Sequence, residues 1–149
     1  MSNNVYITYN IDNTLLYNEV VLTSSEIQND LYDNGIILVE NPGSGKYVVF
    51  HEVILEYSAG TVAYTTSANN EIYINRTGIR FNKDIMVGHL ENRYAVCMDY
   101  SNYVQTTAAR SVGYSLNISD DYTLNCNDTF DNGNGTLKIK YYYSIRSFG

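Results

Sequence analysis

The run Gly43-Ser44-Gly45-Lys46 carries the residue types that cradle a phosphate: glycines that let backbone N–H groups approach an anion, and a lysine to meet its charge. A phosphate loop also needs an earlier glycine where this chain has Glu40, and a Ser or Thr after the lysine where it has Tyr47. It needs a helix to follow, and the pattern after Lys46 is that of a strand, so the run reads as a plain loop. His51 and His89 are the only histidines, and His51 falls on the apolar side of an alternating segment, as a core or interface imidazole would. No His, Cys or carboxylate grouping has ligand spacing. The Asp-rich stretch 128–135 departs from the calcium-loop pattern and reads as a solvated hairpin loop.

Nucleophilic chemistry has equally little to build on. No serine stands in a strand-Gly-x-Ser-x-Gly-helix setting, and neither Cys97 nor Cys126 has neighbours that would lower its pKa. Both cysteines sit in strand-like runs and are expected as buried free thiols. Glu52 and Glu56 share a strand face two pleats apart, without the cleft that would make them a catalytic pair. The expectation is a protein with no catalytic residues, no metal and no cofactor.

Composition narrows the partners. A chain of 149 residues suits one hydrophobic core and hence one domain. Apolar residues make up 44%, as in ordinary globular chains, but charged residues only 17%, so Asn, Ser, Thr and the hydroxyls of 16 tyrosines must supply much of the polar surface. Such a surface suits contacts with proteins or sugars. A net charge of -7 with only 9 Lys and Arg argues against nucleic acid and anionic membrane, whose phosphates are met by basic side chains. No apolar run approaches the ~18 residues of a membrane helix, and the first residues lack a signal-peptide layout, so synthesis in the cytosol is expected. The Asn-x-Ser/Thr sequons at Asn75, Asn117, Asn127 and Asn134 are then coincidental.

Alternation decides the fold class. Leu137, Ile139, Tyr141, Tyr143 and Ile145 take one parity against Thr136, Lys138, Lys140, Ser144 and Arg146, which is a half-buried strand. Two more alternating runs cover 122–126 and 112–118. In the long segment 46–58, Tyr47, Val49, His51, Val53, Leu55 and Tyr57 share one parity and are assigned to the core. The opposite, mixed parity of Val48, Phe50, Glu52, Ile54 and Glu56 is assigned to a subunit interface. Shorter strands are expected over 5–9, 36–40, 61–66, 71–76, 79–82, 84–89 and 94–99, and one short helix over 23–32 capped by Ser24 or Ser25. Many short strands separated by Asn-, Gly- and Asp-rich turns indicate an all-β antiparallel sandwich. Residues 1–35 are read as an N-terminal arm with the first strands, and 36–149 as the sandwich.

The run Val39-Glu40-Asn41-Pro42-Gly43-Ser44-Gly45-Lys46 leading into a long apolar strand resembles an entry found in small phage structural proteins with a TNF-like jelly roll. The ending Asn132-Gly133-Asn134-Gly135-Thr136-Leu137 through Tyr143 is similar to the last strand of the same proteins. The resemblance covers 36–147 in order and implies a jelly-roll homotrimer that decorates a capsid or forms a head fibre, contacting other virion proteins such as the major capsid protein. Residues 1–35 match nothing in that pattern. Within it, Val48, Phe50, Ile54 and Tyr142 are the expected subunit interface. A glycan- or receptor-binding module is the alternative, with Asn69, Asn70, Tyr100 and Tyr103 on loops facing a host-surface ligand.

Overall fold

A computed structural model of the chain describes residues 14–98 and 120–147. Those residues form an all-β sandwich. Its strands, in chain order, are β1 (Leu16–Leu22), β2 (Ile36–Val39), β3 (Lys46–Ser58), β4 (Glu71–Ile74), β5 (Arg80–Asn82), β6 (Arg93–Met98), β7 (Tyr122–Cys126) and β8 (Thr136–Ser147). They make two four-stranded antiparallel sheets, a long one in the order β1-β8-β3-β6 and a short one in the order β2-β7-β4-β5. The pairing is nested: β1 with β8, β2 with β7, β3 with β6 and β4 with β5, as in one long hairpin folded over onto itself.

Period-two alternation holds along the first half of β8, where Leu137, Ile139 and Tyr141 are fully buried between the sheets; beyond it Ser144, of the opposite parity, is fully buried while Tyr143 and Ile145 are only partly so. In β3 it breaks once. The register against β8 slips between Phe50 and Glu52, a bulge that inserts His51 and reverses the parity of everything beyond it. Val48 and Phe50 on one side of the bulge and Val53, Leu55 and Tyr57 on the other therefore all point into the core. The assignment of Val48 and Phe50 to an exposed interface is thus corrected. Phe50 is the hub of an aromatic cluster, with ring centroids 5.9 Å from Tyr122, 5.9 Å from Tyr141 and 6.2 Å from Tyr143. His51 turns outward, where its Nε2 lies 2.9 Å from the hydroxyl of the fully buried Ser144.

Tyrosine hydroxyls tie the sheets together. Tyr141 of the long sheet donates to the Leu38 carbonyl of the short one, and the Val48 amide donates to the Tyr122 hydroxyl at 3.1 Å. Tyr64 donates to the Gly135 carbonyl at 2.7 Å, and its ring lies so close to Gly133 that a Cβ there would come within 2.2 Å of it. The Tyr57 hydroxyl, by contrast, is buried without a partner. Burial pushes the Tyr141 hydroxyl up to about 12, Tyr64 and Tyr57 in the same direction, and the Cys126 thiol up to about 12. Cys97 and Cys126 stand in different sheets and are not joined in a disulfide.

Several expectations for the connections change. The helix is present, with Ile27 and Leu31 fully buried, but Thr23 caps it: its hydroxyl accepts from the Glu26 amide while Glu26 accepts from the Thr23 amide. Residues 61–66 contribute only isolated bridges, Tyr64 with Val87 and Thr65 with Asp131. The stretch expected as a strand over 84–89 begins instead in a 3-10 turn, Lys83–Ile85, capped by Asn82. The 128–135 stretch joins β7 to β8 across the two sheets, so it is no hairpin, and Phe130 within it is fully buried. Gly43 and Gly45, both at positive φ, form an open turn into β3, and no helix follows. The arm assignment also changes in part, because β1 belongs to the long sheet; the strands expected over 5–9 and 112–118 lie outside the described residues.

Two stability measurements check this packing. Phe50→Ala should lower the unfolding free energy by about 3–5 kcal/mol in urea denaturation, the range for deleting a buried aromatic ring; a loss near zero would return Phe50 to the surface. Tyr64→Phe and Tyr141→Phe should each cost about 1 kcal/mol through a lost hydrogen bond. Tyr57→Phe, which removes an unsatisfied hydroxyl, should be neutral or stabilising.

Candidate interaction surface

The long sheet buries one face and leaves the other without a covering element among the described residues. Its register arranges that outer face in rows: Val21, Lys138, Glu56 and Tyr94 in one, Glu19, Lys140, Ile54 and Val96 in the next. Tyr17, Tyr142 and Glu52 follow in a third. Exposed apolar side chains therefore stand at both edges of the face, while the two central strands carry Lys138, Lys140, Glu52 and Glu56 beside Ile54 and Tyr142. At the β6 edge Tyr94 is 76% and Val96 47% exposed; at the β1 edge Tyr17 is 46% and Val21 53% exposed. Exposed apolar groups in such proximity, rather than scattered singly, mark a surface that meets another protein.

The middle band neutralises itself. Lys140 donates to Glu56 at 2.7 Å, and Lys138 lies 3.8 Å from Glu19. The Tyr17 hydroxyl donates to Glu19 at 2.6 Å, and its ring centroid lies 4.8 Å from that of Tyr142 with the two planes tilted by 49°. These contacts set the titration of the face. The hydrogen bond to Glu19 pushes Tyr17 up to about 12, the same bond holds Glu19 below the usual carboxylate range, and the bond to Glu56 raises Lys140. The face thus sets Lys138 and Lys140 beside Glu19 and Glu56 between edges that carry Tyr17 and Tyr94, an arrangement that fits protein contact.

Of the expected interface residues, Ile54 and Tyr142 do lie on this face, half-buried, while Val48 and Phe50 lie beneath it. Tyr17, Val21, Tyr94 and Val96 went unrecognised. For the latter pair the signal was present, since Tyr94 and Val96 alternate with Ala95 and Cys97, the inward-packed residues of β6.

The expected ligand loops divide differently. Asn69 is exposed and borders a shallow polar groove of about 300 Å³ formed with Ala68, Asn70, Glu71, Asn82, Lys83 and Asp84. Asn70 is a correction: it is buried, and all its polar atoms are used, Oδ1 accepting from the Asn127 and Asp128 amides and Nδ2 donating to the Asp128 carbonyl and Thr66 hydroxyl. It therefore fastens the end of β7 to the loop before β4. Tyr100 and Tyr103 lie outside the described residues. Among the described residues, no group of three or more His, Cys, Asp or Glu is placed to hold a metal ion, and no helix is long and apolar enough to cross a membrane. Comparison with protein-family models, with curated proteins and with solved structures finds no match.

The Tyr17–Glu19 bond yields a titration test. A carboxylate whose pKa is depressed on folding contributes stability above its unfolded pKa, and that contribution disappears as the pH falls through the folded value. Tyr17→Phe should therefore raise the Glu19 midpoint in an NMR carboxyl titration and shift the onset of acid unfolding to higher pH. An unmoved midpoint would show that the bond does not form in solution.

Proposed function

We propose that this chain is a non-enzymatic structural protein of a phage virion, a homotrimer that decorates a capsid or forms part of a head fibre. The observation that carries the self-assembly in this reading is the outer face of the long sheet, which leaves Tyr17, Val21, Tyr94 and Val96 exposed around a self-neutralised band. The nested pairing of eight strands in two sheets supports a jelly-roll topology, the arrangement expected of two interlocked Greek keys. The resemblance carried by 39–46 and 132–143 supports the virion setting. In this reading the work done is burial of apolar surface between copies, with hydroxyl- and amide-rich loops turned to the outside.

Light scattering at micromolar concentration should find a trimer, since an interface of standard size persists at that dilution. Tyr94→Asp, at a position exposed in the single chain, should reduce the mass to that of a monomer while leaving the far-UV circular dichroism unchanged. A wild-type monomer would overturn the assembly reading.

A second reading rests on the polar groove beside Asn69: a glycan-binding module displayed on the same particle. The groove offers carboxylate, amide and ammonium groups to hydroxyls but no aromatic ring for a sugar to stack on, which places it second. A glycan array on the wild type and Asn69→Ala separates the readings: binding lost in the variant with the oligomer intact favours the module, and no binding favours the scaffold.

A further inference from the structure

The chain carries three Asn-Gly pairs, Asn34-Gly35, Asn132-Gly133 and Asn134-Gly135. In such a pair the glycine nitrogen can attack the asparagine carboxamide, because no glycine side chain screens it and its backbone turns freely. The glycine nitrogen bonds to the asparagine Cγ and gives up its proton to water, while Nδ2 leaves as ammonia. Water then opens the resulting succinimide at one carbonyl to aspartate or at the other to isoaspartate. Sequence alone makes the three pairs equivalent. We infer from their surroundings that the folded chain deamidates at Asn34 and is protected at Asn132 and Asn134.

Asn34 caps the C-terminal end of the helix at φ -113° and ψ -22°. It is exposed, and its carboxamide has no hydrogen-bond partner among the described residues. A helical ψ turns the following nitrogen away from the carboxamide, so the reaction needs ψ to swing toward the extended region. The bond that opposes this swing runs from the Gly35 amide to the Asp30 carbonyl at 2.8 Å, in the last turn of the helix, where fraying begins. Gly35 already stands at φ +75°, and the nearest atoms on its Cβ side belong to the Asn125 carboxamide, the movable tip of a side chain.

The other two pairs lie in the loop before β8, where both reacting groups are held. Asn134 Oδ1 accepts from the Thr61 and Val62 amides at 2.8 and 2.9 Å, and its Nδ2, the group that must leave, donates to the Thr61 hydroxyl at 3.0 Å. Gly135 is buried against the Ser58 carbonyl and the Tyr57 ring. Asn132 donates from Nδ2 to the Thr65 hydroxyl at 2.9 Å, and the Gly133 amide donates to the Asp131 carbonyl at 2.9 Å. Thr65 and Asp131 exchange both backbone bonds beside it, and Gly133 is buried against the Tyr64 ring. Isoaspartate adds a methylene to the main chain, for which neither buried glycine leaves room, whereas the turn at Asn34 faces solvent.

Ageing the full-length protein at mildly alkaline pH, folded and in urea, tests the assignment. Peptide mass spectrometry follows the exchange of amide for acid, with fragmentation to separate Asn132 from Asn134. In urea the three sites should convert at similar rates. In the folded protein each bond that must open first slows the reaction roughly five-fold, so Asn132 should lag Asn34 by at least about five-fold and Asn134 by about a hundred-fold. Asn34→Gln, which would have to close a larger and slower ring, should remove the first acidic species to appear on ion exchange. Conversion at Asn132 or Asn134 that keeps pace with Asn34 in the folded protein would overturn the inference. So would a folded Asn34 that stays intact while the chain in urea converts completely.

Discussion

A strand that must bury side chains over 13 residues of a twisting sheet needs some means of bending, and β3 bends by admitting one additional residue, His51, opposite β8. That insertion determines which side chains are core and which are surface across the whole long sheet. Before it, Val48 and Phe50 face inward; after it, Val53, Leu55 and Tyr57 do. Without the slip, one of those groups would be turned to water, and a shift of one residue exchanges every contact on a strand. The outward imidazole beside Ser144 occupies the place where the ladder is broken, so the bulge is filled by a hydrogen-bonded pair and not left as a gap.

Between the sheets the chain uses tyrosine where other sandwiches use wholly apolar residues. A ring delivers as much buried surface as a large aliphatic side chain, and its hydroxyl reaches backbone that lies beyond the layer boundary. Tyr141 and Tyr122 each span the sandwich in this way, and Tyr64 fastens the long loop ahead of β8. The same residue type outside, in Tyr17, Tyr94 and Tyr142, leaves amphipathic rings where a partner can cover them. Low charge content is consistent with both uses, since neither the inter-sheet layer nor the outer face relies on ion pairs for its apolar contacts.

The fold class was legible because alternation survives in β7, in the first half of β8 and in each half of β3. The interior of β3 was misread because parity counting assumes an unbroken ladder, and nothing in Phe50-His51-Glu52 announces a bulge. β1 went unseen for a related reason: Val20-Val21-Leu22 is continuous apolar sequence, and only the pairing with β8 shows that Val21 faces out while Leu22 is buried. Asn70 looked like a loop-tip residue because Asn is common there. Its role is decided by backbone groups more than fifty residues away in the chain, at Asn127 and Asp128, which no local pattern reveals. Ile54 and Tyr142 lie half-buried on the outer face, so the more exposed side chains at its edges had to come from the register.

The nested pairing has a consequence for how the protein is made. β8, last of the eight strands among the described residues, lies between β1 and β3 in the sheet, and among those residues it is the one strand that pairs with β1. Until β8 is made, β1 and the β8-facing side of β3 lack their strand partner, so the long sheet closes only in a late, non-local step. Each polypeptide must therefore complete its own wrapping before its outer surface exists to be recognised, which separates folding in time from any joining of finished copies.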